Sequence, residues 1–317
     1  MKKSVIILIV IIVVLLWSGT FFGYHDKFTE SIDTDESKCF SPKCESIIKV
    51  HKNKSDTAIF MIHGFPSTPH TYTYASERLF DEGYDCFAYL MPGFGTDPKD
   101  LLKTSYTQWF DYTCRKYEEV RKNYTHVYVI GVSMGGFMTI NLAEKYSGTN
   151  LDPDGIVTVD APIVYNSFFR DHIVTHLSGY VSRLLNIFMK SAGTSVFPGY
   201  DDGSNDGDGD WVGYKGLFVG PGMSLLGHEK AVRNNLKDID VPLFSMHAVG
   251  DKTVPFANFS IIAAENGSPD FRGRVVKMQT EADHSHHVLL IYHSVRVALM
   301  DDIIQFIKEK NNDYKKI

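Results

Sequence analysis

Apolar residues gather in short β-branched or aromatic runs at 46–50, 58–63, 85–91, 127–132, 155–160, 242–249 and 274–279. Between most of these runs lie amphipathic stretches of helical length, at 72–81, 106–122, 134–146, 256–265 and 295–310. Alternation of strand and helix periods predicts βαβ units, that is, an α/β domain with a mostly parallel sheet flanked by helices, over residues 45–317. No internal repeat interrupts it. One interval breaks the rhythm: from 163 to about 240 no strand pattern is visible, and the stretch contains an Asp/Gly-rich run at 201–210. A structureless loop of that length is uncommon in a compact domain, so a small inserted cap is expected there.

A different pattern occupies the N-terminus. Lys2 and Lys3 precede an almost unbroken apolar run from Val5 to Trp17, extended by Ser18-Gly19-Thr20-Phe21-Phe22. No polar face interrupts it, and about 18 residues at a helical rise nearly cross a hydrocarbon core. The run is long for the core of a cleaved signal peptide and no A-x-A-like pair follows it. Residues 1–23 are therefore expected to be a transmembrane signal anchor and 24–44 a polar, acidic tether, with a secreted, signal-cleaved form as the alternative. The lysines before the run, against Asp26, Glu30, Asp33, Asp35 and Glu36 after it, predict a cytoplasmic N-terminus and an extracytoplasmic domain.

Composition narrows the function classes. With 44% hydrophobic and 22% charged residues among 317, the chain can bury a sizeable core and is not a disordered polymer. A net charge of −6 argues against nucleic acid as a partner. Four cysteines make no disulfide framework, although Cys39 and Cys44 could bridge outside the cytoplasm.

The central chemical signal is Gly131-Val132-Ser133-Met134-Gly135-Gly136, which follows one strand-like run and opens a helix-like one. At a tight strand–turn–helix junction the glycines remove Cβ clashes, so Ser133 can be held with its hydroxyl exposed as a nucleophile. A serine hydroxyl needs a base to take its proton and the base needs an orienting carboxylate, here expected in the order Ser, acid, His. Asp251 lies just after the 242–249 run, where a loop would project it at the C-terminal end of the strand. For the base, Asp283-His284-Ser285-His286-His287 offers three imidazoles. Further ligands at zinc spacing are not evident around this cluster, and neither a metal nor a cofactor is expected. Two backbone donors are expected for the oxyanion: the amide of Met134, after the nucleophile, and that of Phe65, in Ile62-His63-Gly64-Phe65-Pro66. His63 precedes Ser133 in the chain and reads as a brace for that loop rather than as the base.

Taken together, His63-Gly64-Phe65, the Gly131–Gly136 motif, Asp251-Lys252-Thr253-Val254-Pro255 and Ser285-His286-His287-Val288 resemble the α/β-hydrolase superfamily, specifically bacterial carboxylesterases related to monoacylglycerol lipases. Met91-Pro92-Gly93-Phe94-Gly95-Thr96 and residues 157–162 add to the likeness, which spans roughly 45–312 and is loose through the cap. The resemblance implies a Ser–Asp–His hydrolase acting through an acyl-enzyme, with a small lid after the sixth strand. It favours His287 as the base, with His286 in reserve. It also implies a small-molecule ester or lipid substrate. A serine peptidase or acyltransferase would use the same triad, and a membrane-tethered binding protein is the non-catalytic alternative.

Two expectations concern the cap. Ile173, Val174, Leu177, Val181, Leu184, Leu185, Phe188 and Met189 recur at helical spacing, and part of that stripe is expected to wall an acyl pocket for short- to medium-chain esters. Asp206, Asp208 and Asp210 alternate in the manner of calcium ligands, but no closing Glu follows, and an acidic surface loop is the expectation.

Overall fold

The computed structural model describes residues 3–17, 30–164, 186, 188–200, 203–278 and 284–314. All seven expected strands form, and they join one sheet: β1 (Ile47–Lys49), β2 (Thr57–Ile62), β3 (Asp85–Ala88), β4 (His126–Val132), β5 (Gly155–Val159), β8 (Leu243–Ala248) and β9 (Phe271–Val276), in the order β1-β3-β2-β4-β5-β8-β9. Only β1 runs antiparallel to its neighbour; the other five pairings are parallel. Burial on both faces of the central strands β3, β2, β4, β5 and β8 explains why they read as continuous apolar runs rather than alternating ones; the edge strands β1 and β9 are partly exposed.

The side chains of β2 sort by parity. Ala58, Phe60 and Ile62 enter one core, together with residues of α4 (Tyr106–Arg121), α5 (Met134–Tyr146), α6 (Val219–Asn235) and α7 (Ala257–Glu265). Ile59 and Met61 enter the other, beneath α2 (Thr73–Asp81) and α8 (His293–Tyr314). The result is a three-layer sandwich in which the loops at the C-terminal ends of the parallel strands share one edge, where ligands bind in open α/β sheets. A single helical turn, α3 (Pro98–Leu101), precedes α4.

Between β5 and β8 the structure departs from expectation. The interval read as lacking strands contains an antiparallel ribbon, β6 (Ser191–Phe197) with β7 (Gly213–Phe218), followed by the 17-residue α6. Both strands carry glycine and neither alternates cleanly, so strand periodicity is masked. Most of the helical stripe expected in the cap, from Ile173 to Leu185, lies outside the described residues. Phe188, expected to help wall the acyl pocket, is 83% exposed.

At the N-terminus, α1 (Lys3–Trp17) is a 15-residue helix whose side chains from Val5 to Val13 are all exposed. At 1.5 Å per residue that is about 22 Å, short of a ~30 Å hydrocarbon core. Among the described residues no helix is long and apolar enough to cross a membrane; residues 18–22, which were expected to prolong the span, lie outside them. The part of the tether that is described, 30–44, is laid against the domain. Gln108 donates to the Glu30 carbonyl, Arg115 binds the Ile32 carbonyl and the Asp33 carboxylate, Thr34 donates to the Leu90 carbonyl, and the Phe40 amide donates to Gly95. Cys39 and Cys44 are both free thiols.

Candidate active site

Ser133 sits between β4 and α5 with φ 57 and ψ −125, a conformation that a non-glycine residue adopts only under constraint. The constraint is the close packing around it. A Cβ at Gly131 would lie 2.1 Å from the Gly135 carbonyl oxygen, and one at Gly135 would lie 1.8 Å from that of Ile62. Only glycine at both positions lets α5 start hard against the ends of β2 and β4, with Ser133 at the apex and 8% exposed.

Asp251 follows β8. Its Oδ1 accepts hydrogen bonds from the amides of Thr253 (2.7 Å) and Val254 (2.8 Å), leaving Oδ2 to face His287 Nδ1 at 2.7 Å. A carboxylate offers only acceptors here, so Nδ1 carries the proton and Nε2 is the free lone pair. That Nε2 lies 2.8 Å from Ser133 Oγ. The three side chains stand in line: carboxylate, imidazole, hydroxyl. Burial alone would lower the imidazole pKa; the Asp251 bond and the charges of Asp251 and Asp160 outweigh it, and the net shift is upward.

Of the three imidazoles in the cluster, only His287 reaches Ser133. His284 is buried, stacked on Tyr292 with ring centroids 4.0 Å apart, and accepts the His286 amide on Nδ1. His286 occupies the turn between them at φ 56. His63 braces the neighbouring loop: Nδ1 donates to the Gly64 carbonyl, Nε2 accepts the Met91 amide, and burial lowers its pKa to about 4, so it stays neutral. A Cβ on Gly64 would lie 3.0 Å from Ser133 Cβ, which places the 63–66 loop directly beside the nucleophile. Met134 is the first residue of α5, where an amide has no acceptor within its own helix. Phe65 packs against Trp109 and Phe94, and Phe218 at the end of β7 meets it edge-on, so an aromatic wall adjoins that loop.

Donor atoms of Asp160, Asp251 and His287 lie within 4.8 Å of one another. A cation placed among them would have to break the Asp251–His287 bond that orients the imidazole. The acidic run in the cap is likewise committed to protein partners. Asp206 accepts the amide and hydroxyl of Ser294 at the start of α8, Asp208 accepts the Tyr292 hydroxyl, and Asp210 pairs with His70 and Lys43. This segment, expected as an acidic surface loop, clasps the cap onto the domain beside the His287 turn. Neither the clasp nor Asp160 was read from the sequence as part of the site. For Asp160 a signal exists, an acid ending an apolar strand at the edge that carries the site; for the clasp none does.

A fold of this topology with a serine elbow between β4 and α5 defines the class of protein. The chain belongs to the alpha/beta hydrolase family, whose sequence model matches residues 59–298. It is 30% identical over 105 residues to a thermostable monoacylglycerol lipase of Bacillus sp. (strain H-257), covering 33% of this chain and 40% of that protein. It is 28% identical over 109 residues to a carboxylesterase of Bacillus subtilis (strain 168), covering 34% of this chain and 42% of that protein. The matched stretch thus spans about two fifths of either relative. Among solved structures, a metagenome-derived lipolytic enzyme superposes with a TM-score of 0.67 at 17% identity, covering 84% of this chain and 98% of the other, which establishes the likeness of fold.

Proposed function

We propose that this chain is a serine carboxylic-ester hydrolase in which Ser133, His287 and Asp251 act as nucleophile, base and orienting acid. The observation that carries the reading is the unbroken Asp251–His287–Ser133 hydrogen-bonded line at the C-terminal edge of the sheet. Ser133 Oγ attacks the ester carbonyl carbon while His287 Nε2 takes its proton. The amides of Phe65 and Met134 receive the charge that develops on the carbonyl oxygen. Collapse of the tetrahedral intermediate breaks the carbon–oxygen bond to the alcohol, which leaves with the proton from His287. Water, deprotonated by the same imidazole, then attacks the acyl-enzyme and frees the acid and Ser133. Asp251 fixes the tautomer throughout and stabilises the imidazolium.

The substrate class is an uncharged ester of short to medium acyl chain, monoacylglycerols included. The aromatic wall at Phe65 and Phe218 and the names of the two Bacillus relatives support it. Each buried methylene is worth about 0.8 kcal/mol, so kcat/KM should climb roughly fourfold per carbon until the pocket is full. A series of nitrophenyl esters from acetate to palmitate tests this; a flat profile would refute an acyl pocket beside Ser133.

The same reading places the domain outside the cytoplasm on an N-terminal anchor. Its support is α1, whose residues Val5–Val13 are apolar and exposed and follow Lys2 and Lys3. External protease should release active domain from intact cells, and release only after lysis would reverse the orientation.

A further inference from the structure

Behind the catalytic line lies a second carboxylate that the reaction as described does not use. Asp160 follows β5, is fully buried, and takes φ 50. Its amide donates to the Met246 carbonyl of β8 at 2.9 Å. Both carboxylate oxygens are occupied by backbone donors from two different segments: Oδ1 accepts the Ala248 amide at 3.1 Å and Oδ2 accepts the Leu289 amide at 3.3 Å. Ala248 ends β8, just before the loop that carries Asp251. Leu289 is two residues after His287.

The turn held by Leu289 is under strain. His286 has φ 56 and Val288 has φ 64 and ψ 51, so both neighbours of the base sit in the left-handed region, where a β-branched residue such as Val288 is a genuine outlier. Such residues persist only where surrounding bonds over-determine them. Of the six non-glycine residues at positive φ among those described, four are Ser133, Asp160, His286 and Val288, all within the site.

Resting on the triad assigned above, we infer that Asp160 is a positioning residue: its buried carboxylate ties the strained His286–Val288 turn to the end of β8, and so holds His287 on the line between Asp251 and Ser133. The two attachment points are the end of β8, which leads into the loop bearing the acid, and the turn that bears the base, so one side chain sets their separation. No neutral side chain of this size does the same. Asparagine offers one acceptor oxygen, and its amide nitrogen would face a backbone N–H.

The charge has a second consequence. The titratable groups around Asp160 are His247 on β8, Asp251 on the loop after it, and His287 and Tyr292 on the base side. Burial pushes the Asp160 carboxyl upward, and His247 and His287 pull it back. In return, Asp160 favours the protonated form of His287.

The test is Asp160→Asn in the full chain, read by kcat, KM, the pH profile of kcat/KM and melting temperature on an ester the wild type hydrolyses. The inference predicts a fall in kcat of about tenfold or more with KM changed less than about twofold. It also predicts an acid limb displaced to lower pH, because one negative charge beside His287 is gone. A purely structural aspartate would lower the melting temperature while leaving kcat of the folded variant within about twofold of wild type, and that result overturns the inference. Should Asp160→Asn not fold, Asp160→Ser is measured in the same way, since its hydroxyl leaves room for a water between the two amides. A wild type that neither hydrolyses esters nor takes a fluorophosphonate on Ser133 would refute the triad instead, which keeps the two failures apart.

Discussion

His287 Nε2 lies 2.8 Å from Ser133 Oγ although 154 residues separate them in the chain. The approach is made by the parallel sheet: Ser133 rides the turn after β4, while the His287 turn is tied to the end of β8 through Asp160. Each loop is short of freedom for its own reason, one through the glycines of the elbow and the other through bonds to Asp160, Ser285 and Lys252.

The three clustered histidines should separate cleanly on substitution. His287→Ala is expected to lose as much turnover as Ser133→Ala, on the order of 10⁴-fold or more, because triad members fail as a unit. His286→Ala should stay within about tenfold of wild type, since its ring does not reach Ser133. His284→Ala should leave kcat within the same range while lowering the melting temperature, as its ring fills a buried stack on Tyr292. Steady-state kinetics and thermal melts on the three variants check this.

The pH dependence follows from the upward shift of His287, whose ordinary pKa is 6.5. The base works only when neutral, so kcat/KM should rise with pH along a limb centred above that value. Replacing Asp251 with Asn removes both the bond and the charge that raise it. The acid limb of Asp251→Asn should therefore move to lower pH while kcat collapses through loss of the correct tautomer.

Stability carries its own pH signature at Glu144, in the last turn of α5. Burial, reinforced by Asp238, raises its carboxyl to about 9, and neither oxygen has a hydrogen-bond partner. The folded state holds the proton while the unfolded chain releases it near 4.5. Stability from this group is thus complete below the unfolded value and drains away as pH rises toward about 9. Melting temperatures of wild type and Glu144→Gln, compared at pH 5 and pH 8, should diverge in favour of the variant at the higher pH. A constant difference would mean that Glu144 is ionised in the folded protein.

The acidic run of the cap should behave as a clasp. Asp206 caps α8 from outside the helix, through the amide and hydroxyl of Ser294. Asp206→Ala is expected to cost about 1–2 kcal/mol, a drop of roughly 2–4 °C in Tm for each kcal/mol. Calcium should leave the melting temperature of the wild type unchanged; a rise of several degrees would mean that the carboxylates exchange their protein partners for the ion.

Most of the fold could be read from periodicity because parallel strands buried on both faces are apolar throughout and amphipathic helices separate them. The elbow was legible because strained serine geometry demands glycines at fixed offsets, and Asp251 because it ends an apolar strand. The β6–β7 ribbon was not, since its strands are built partly from glycine and bury residues without alternation. The exposure of Phe188 was not legible because helical spacing does not say which way a cap element faces. Asp160 carries the same mark as Asp251, an acid ending an apolar strand, but its role lies in two backbone amides, Ala248 and Leu289, and backbone donors leave no mark on sequence.

The most direct test of the triad is covalent. The full chain is treated with a fluorophosphonate, digested, and the adduct located by mass spectrometry, alongside Ser133→Ala. The predicted result is one stoichiometric adduct on the peptide containing Ser133, absent from the variant and slowed by orders of magnitude in His287→Ala. Undiminished labelling of Ser133→Ala, or an adduct on any other residue, would contradict the assignment of Ser133 as the nucleophile.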